Sequence, residues 1–326
     1  MTLGQLVTLP SDRFEHRILL NALAADVPFI SYWKQLIAKY SLPAILLSHS
    51  YYLLYFGTGI GKATVKLLAA KRARVIIACR NVEKGAATRD EIIAATGYAN
   101  ISVKKLDLSS LQSIRNFVNE FKQEEHRLDV LINNAGILAP ARKTITEDGL
   151  ELTYATNHFG PFLLTNLLLD FMKQSGPGRI INVTSVVYAM GNIDFDNLSA
   201  ERSYSSYTIY GHTKLANILF TRELSKRLEG TGITVNCLHP GTVRTSLLNY
   251  RPELKIISFI FGSLFWKDPE VGAQTSLYLA VSGEVNGVTG QYFDNCRPVV
   301  PSAKARDDGV ARKLWEVSEK LTGLIQ

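Results

Sequence analysis

Short apolar, β-branched runs alternate with longer mixed stretches from residue 74 to residue 238, and this rhythm constrains the fold more than any other feature. Residues 74–79, 101–106, 128–132, 179–183 and 233–238 read as strands. Helical stretches fall between them at 81–95, 109–124 and 147–173, the last interrupted at Gly160-Pro161, and a further helix opens at Tyr210. Upstream, the tyrosine- and leucine-rich run 48–56 suits a first strand, and Gly59-Ile60-Gly61 opens a helix over 62–71. Repeated strand–helix–strand units predict a parallel sheet with helices on both faces and right-handed connections. No composition shift, linker or repeat divides the pattern. The chain therefore reads as α/β, a single doubly wound Rossmann-like domain over 48–326 with a mostly parallel sheet. Residues 1–47 stand apart as an atypical N-terminal segment. Their apolar patches, 28–33 and 42–47, are separated by polar residues. No run there reaches the roughly 18–20 apolar residues of a membrane helix, and no secretory-signal pattern is expected.

Composition narrows the function. An apolar content of 46% in 326 residues suits a globular core. Cys79, Cys237 and Cys296 are too few and scattered for a disulfide framework, and Cys79 and Cys237 sit in strand-like runs as buried thiols. No Cys/His cluster has metal-ligand spacing, so no metal is expected. The net charge of +7 and pI near 9.2 favour phosphate-bearing cofactors or anionic lipid surfaces. The basic residues are dispersed rather than gathered, which argues against nucleic acid as a partner.

The chemistry-bearing stretch runs from Ser185, at the end of an apolar strand, to Tyr210-Gly-His-Thr-Lys214. Residues four apart share one helix face, so the Tyr210 phenol and the Lys214 ammonium can meet in one site. A neighbouring positive charge predicts a lowered tyrosine pKa and a usable proton donor or acceptor. The plainer alternative is an ordinary helix with one buried aromatic and one solvated lysine. Ser185 ends its strand where such a sheet places ligands, although a strand-end hydroxyl is equally ordinary. Arg80 follows the second strand, where an arginine pairs with a 2′-phosphate and so argues for NADP; otherwise it is a surface charge. His212 points to a different helix face from Tyr210 and Lys214. His239 has no visible partner and reads as structural.

Further motifs join this cluster in order. Asn133-Asn-Ala-Gly136 follows a strand, Asn157 lies in the next helix, and Pro240-Gly241 follows another strand. In this order they resemble the short-chain dehydrogenase/reductase family. Ala78-Cys-Arg-Asn81, Asp107-Leu-Ser109 and the tail 305–318 resemble its retinol dehydrogenase branch, with the likeness running from about Gly59 to Leu324. The resemblance implies hydride transfer between nicotinamide and a carbonyl or alcohol carbon. It implies that Tyr210 exchanges the proton, Ser185 hydrogen-bonds the same oxygen, and Lys214 stabilises the phenolate and meets the nicotinamide ribose. Asn157 would support a water linking Lys214 to solvent. Gly59, Ile60 and Gly61 would approach the pyrophosphate, Asp107 and Leu108 the adenine, Asn134, Ala135 and Gly136 the adenosine ribose and central backbone, and Pro240, Gly241 and Thr242 the nicotinamide. Asp107 has the alternative role of capping the helix near Ser109. One departure is plain: counting back from Gly59 puts Leu54 and Tyr55 where the family has Thr and its first glycine, the residue that lets the backbone approach the pyrophosphate.

Residues 245–268 fall in the family's variable substrate-covering region, and their apolar core 256–266 is too short to span a bilayer. Three readings stand: a lid over a greasy pocket, an interfacial segment in peripheral contact with a membrane, or a surface packed into the core or a homodimer face. A hydrophobic, retinoid-like aldehyde or alcohol is the implied substrate. The resemblance implies association with the endoplasmic reticulum membrane; the lack of a clear anchor leaves the cytoplasm open. Two functions compete, an NADP-dependent oxidoreductase and a non-catalytic relative with impaired nucleotide binding that binds a lipid or protein partner.

Overall fold

The computed structural model describes residues 50–55, 59–241, 243 and 268–325. Eight strands form one sheet in the order β3-β2-β1-β4-β5-β6-β7-β8. They are β1 (Tyr51–Tyr55), β2 (Arg74–Cys79), β3 (Ile101–Lys105), β4 (Val130–Asn133), β5 (Gly178–Val183), β6 (Ile233–His239), β7 (Tyr292–Asp294) and β8 (Arg297–Val299). All neighbours pair in parallel except β7 with β8. The expected α/β, mostly parallel architecture is therefore present. The unusual tyrosine–leucine run does make a strand, and a central one: Tyr52, Leu53 and Leu54 are buried between β2 and β4.

Register explains how the sheet is covered. Ile76, Leu53, Leu131, Ile180 and Val235 lie in a row across β2, β1, β4, β5 and β6. That face meets Phe117 and Phe121 of α3 (Leu111–Glu124), Phe162 of α4 (Gly160–Ser175), Phe220 of α5 (Ile209–Arg227) and Trp315 of the C-terminal helix. On the opposite face α1 (Ile60–Ala70) packs on β1 and β2, and α7 (Gln274–Val281), which follows the short α6 (Pro269–Gly272), packs on β5 and β6. Both faces are dry, which is why these strands read as continuous apolar runs rather than alternating ones.

Local signals set most helix ends. Asn81 caps α2 (Val82–Thr96) by accepting the Lys84 N–H at 2.7 Å, and Gly97 closes it at φ 66°. The mixed-charge tail with apolar Leu314, Trp315, Val317 and Leu321 on one face predicts a last helix over about 308–321, and the C-terminal α8 lies over Asp308–Leu321 with Asp307 as its cap. Its Leu314 and Trp315 are buried, and Val317 and Leu321 pack partly buried beside them.

The stretch 147–173 differs from expectation. Gly149 turns at φ 77°, and helix begins only at Leu152–Tyr154, with the Glu151 carboxylate accepting the Thr153 and Tyr154 N–H groups. It then passes through a π-helical turn, Ala155–Phe159, and runs unbroken into α4 through Gly160-Pro161. The cause is Pro161, which has no N–H for the carbonyl of Asn157 and whose ring crowds that carbonyl. One widened turn relieves the clash, and the freed Asn157 carbonyl accepts from Asn217 Nδ2 at 2.9 Å. The 3-residue strands β7 and β8 carry too little pattern to be read in advance. No helix among the described residues is long and apolar enough to cross a membrane. The apolar stretch 256–266 lies outside the described residues.

Gly160 presses against the Leu108 carbonyl, and a Cβ there would overlap that oxygen. Gly160→Ala is expected to lower the unfolding free energy by about 1–3 kcal/mol, as read by urea denaturation. An unchanged midpoint would show that the backbone at Leu108 yields freely.

Candidate active site

The carboxyl ends of the parallel strands gather the residues singled out in the sequence. Strand order reverses between β1 and β4, and the crevice of a doubly wound sheet lies at such a reversal. Asn134, Ala135 and Gly136 leave β4 there, partly exposed. Ser185 follows β5, extended at φ −159°, and opens a short 3-10 turn, Val186–Met190. Tyr210 and Lys214 lie in the first turns of α5.

These residues converge. The Ser185 side chain lies beside the Tyr210 hydroxyl and favours its ionised form. Lys214 is only 2% exposed; its Nζ donates to the Val183 carbonyl at 3.1 Å and lies 5.4 Å from the Tyr210 ring centroid. Asn157, fully buried in the π turn, accepts the Ile137 N–H with Oδ1 at 2.8 Å. Its Nδ2 donates to the Ile137 carbonyl at 3.0 Å and to Thr213 Oγ1 at 3.1 Å. Asn157 thus pins the chain just past Gly136 to the residue before Lys214. Gly136 leaves little room for a side chain, because a Cβ would stand 3.1 Å from Lys214 Nζ and 3.4 Å from Asn157 Oδ1, so the lysine would have to give way.

The electrostatics correct one expectation. The tyrosine pKa is raised, not lowered. Burial pushes Tyr210 up to about 12, opposed by the Ser185 side chain. The Lys214 ammonium lies 5.4 Å from the ring centroid, and desolvation of the phenolate is the largest effect on the hydroxyl. Burial also draws Lys214 down from 10.5 to about 8. In the protein alone Tyr210 is a neutral phenol, a proton donor.

The cofactor residues fall around the crevice. Gly59 takes a left-handed φ of 71° before α1, whose N-terminus has no side-chain cap and no acidic residue in its first turn, Ile60 and Gly61 included. Such a bare end attracts phosphate. Tyr55 remains in the strand backbone, opposite Ala78 and Asn133. Arg80 is exposed past β2 and makes no ion pair among the described residues. Asp107 Oδ1 accepts both the Ser109 N–H and hydroxyl, at 2.9 and 2.6 Å, while the capping role it was offered falls to Ser110, which accepts the Ser113 N–H. Leu108 is buried. Pro240 and Gly241, the latter at φ 84°, leave β6, and Thr242 lies outside the described residues. A phosphate-ready helix end, a side-chain-free approach at Gly136 and an exposed cation at Arg80 fit a dinucleotide laid across the strand ends.

Two histidines that the sequence sets aside as non-catalytic gain partners in the fold. His239 does have a partner, since its Nδ1 accepts the Val186 N–H at 3.2 Å. His212 Nδ1 accepts the Asn192 N–H at 2.8 Å. No spacing signal announces either contact. Cys79, Cys237 and Cys296 are buried and form no disulfide among the described residues.

A hydroxyl pair beside a buried lysine is thus set at the switch point of a parallel sheet, where such folds place a ligand. The short chain dehydrogenase family model matches residues 56–254. Human retinol dehydrogenase 14 is 48% identical over 290 residues, covering 82% of this chain and 84% of the relative. Human retinol dehydrogenase 11 is 47% identical over 268 residues, covering 82% of this chain and 83% of the relative. The chain belongs to the short-chain dehydrogenase family, in its retinol dehydrogenase branch. Among solved structures, an uncharacterised protein from Mycobacterium paratuberculosis is similar at TM-score 0.68 and 32% identity, covering 84% of this chain and 94% of that one. The Pseudomonas aeruginosa RhlG/NADP active-site complex is similar at TM-score 0.62 and 27% identity, covering 77% and 96%.

The buried ammonium carries a stability signature. With the folded-state pKa near 8 and the ordinary value at 10.5, the folded protein bears the full cost of the charge below pH 8 and loses it as pH rises to 10.5. Without nucleotide, Lys214→Met is expected to be more stable than wild type at pH 7 by on the order of 1–3 kcal/mol. The gap should narrow at pH 9.5 in chemical denaturation. A gap independent of pH would mean that the lysine is not desolvated.

Proposed function

We propose that this protein is an NADP-dependent oxidoreductase that interconverts a hydrophobic, retinoid-like aldehyde or ketone and its alcohol. The observation that carries the reading is the Ser185–Tyr210 hydroxyl pair with Lys214 buried against Gly136. A nicotinamide nucleotide, when bound, supplies the two-electron chemistry. The chain's own groups bind, orient and move the proton. In reduction the Tyr210 hydroxyl donates its proton to the developing alkoxide oxygen, and the Ser185 hydroxyl holds that same oxygen. Lys214 then offsets the phenolate left on Tyr210. Asn157 keeps Gly136 and Lys214 in mutual register through Ile137 and Thr213.

Arg80 supports NADP over NAD, as an exposed guanidinium at the end of β2 suits a 2′-phosphate. Exposed apolar side chains support a hydrophobic substrate: Val186 and Met190 follow Ser185, and Tyr207 precedes Tyr210, at 53%, 71% and 72% exposure. The names of the retinol dehydrogenase relatives favour a retinoid-like carbonyl. The non-catalytic alternative has one specific support, the tyrosine at position 55 where the family has glycine.

A fluorescence titration with NADPH and NADH is the test. NADPH is expected to bind more tightly, and Arg80→Ala to weaken NADPH roughly 10–100-fold while leaving NADH unchanged. With all-trans-retinal, Tyr210→Phe is expected to lower kcat by about 10²–10⁴-fold. Tyr55→Gly should tighten NADPH. Equal affinity of wild type and Tyr55→Gly would show that the tyrosine is tolerated, and no binding of either nucleotide would overturn the enzyme reading.

A further inference from the structure

The turn that carries Ser185 is held by groups that the proton-transfer chemistry leaves unused. At its start the Val186 N–H donates to His239 Nδ1 at 3.2 Å, and at its end the Asn192 N–H donates to His212 Nδ1 at 2.8 Å. One imidazole ends β6, directly before Pro240, and the other sits in α5 midway between Tyr210 and Lys214. Between these points Lys304 Nζ donates to the Ala189 and Gly191 carbonyls, both at 2.6 Å, and the Tyr188 hydroxyl accepts the Ser302 N–H at 3.1 Å. Gly191 and Gly211 meet backbone to backbone. A Cβ on Gly191 would overlap the Gly211 carbonyl, and one on Gly211 would come within 2.9 Å of the Val187 carbonyl.

A ring nitrogen that accepts an N–H carries no proton, so these contacts require both imidazoles neutral, with the proton on Nε2. For His212 the surroundings agree: burial and the Lys304 charge draw its pKa down, opposed by Asp194. Ser185 itself adds little restraint, since its hydroxyl accepts the Val187 N–H only at 3.5 Å. Its place relative to Tyr210 is therefore inherited from the turn.

We propose that His212 and His239 are positioning residues whose paired Nδ1 acceptors clamp the two ends of the 186–192 turn and set the Ser185 hydroxyl against Tyr210. The proposal rests on the oxidoreductase reading above and adds to it the residues that fix the hydroxyl pair. An error of about 1 Å between groups that must share one substrate oxygen costs on the order of a hundredfold in rate.

The test compares His212→Phe, which keeps a flat ring and removes the acceptor, with His212→Asn, which returns an amide oxygen near the position of Nδ1. In the full chain with NADPH and all-trans-retinal, His212→Phe is expected to lower kcat roughly 10–100-fold, with KM for NADPH and melting temperature near wild type. His212→Asn is expected to recover most of the loss. Wild-type kcat in the phenylalanine variant, or equal losses in both, overturns the proposal. A second arm needs no turnover: ¹⁵N spectra of histidine-labelled wild type at pH 7 should show an unprotonated, hydrogen-bonded Nδ1 at both residues. A protonated Nδ1 at His212 overturns the clamp. If wild type neither binds NADPH nor reduces the aldehyde, the proposed function fails and the imidazole spectra alone decide the clamp; they also decide it if His212→Phe does not fold.

Discussion

Lys214 carries a full charge into a position 2% exposed, where an ammonium is costly unless something meets it. Here it meets the Val183 carbonyl at the end of β5 and the ring face of Tyr210. Both lie within reach because β4, β5 and β6 pair in parallel and end together, so α5 can return across their tips. The exit from β4 must also be bare, which Gly136 provides. The same low polarity that draws Lys214 down to about 8 lifts Tyr210 to about 12. Charge, phenol and glycine are thus one arrangement, strained in energy and supported by the aromatic packing of Phe162, Phe220 and Trp315 on the sheet face behind it.

That support reaches the site through a polar path as well. Because Pro161 cannot satisfy the Asn157 carbonyl, Asn217 of α5 does so, and Asn217 Oδ1 in turn faces His158 Nδ1 at 3.2 Å. His158 Nε2 lies 3.1 Å from Ser318 Oγ in α8. Burial holds His158 down at about 4, so the ring is neutral and serves as a spacer between helices. A helix close to the C-terminus is in this way tied to the main chain of a site residue. The π turn is what makes that link available.

Legibility in the sequence followed the range of the forces involved. β2 and α8 lie where the pattern places them, since a β-branched run and an Asp307 cap act within a few residues. The pattern of 147–173 predicts a helix broken at Gly160-Pro161. Yet the break is at Gly149, and the proline is absorbed because Gly160 can sit flush on Leu108, 52 residues away in the chain by number. The atypical run at β1 still forms a central strand, because Tyr52, Leu53 and Leu54 supply the apolar surface that both faces demand.

The sequence by itself determined the fold class, through periodicity, and the spacing that sets Tyr210 and Lys214 one helical turn apart, because both are local consequences of backbone geometry. Tertiary structure alone decided which way the tyrosine titrates, since desolvation depends on everything packed around the hydroxyl and not on its neighbours along the helix. It alone gave His212 and His239 their partners, 20 and 53 residues distant in the chain. Hydrogen bonds and burial act through space, and folding brings together groups whose sequence positions do not announce the contact.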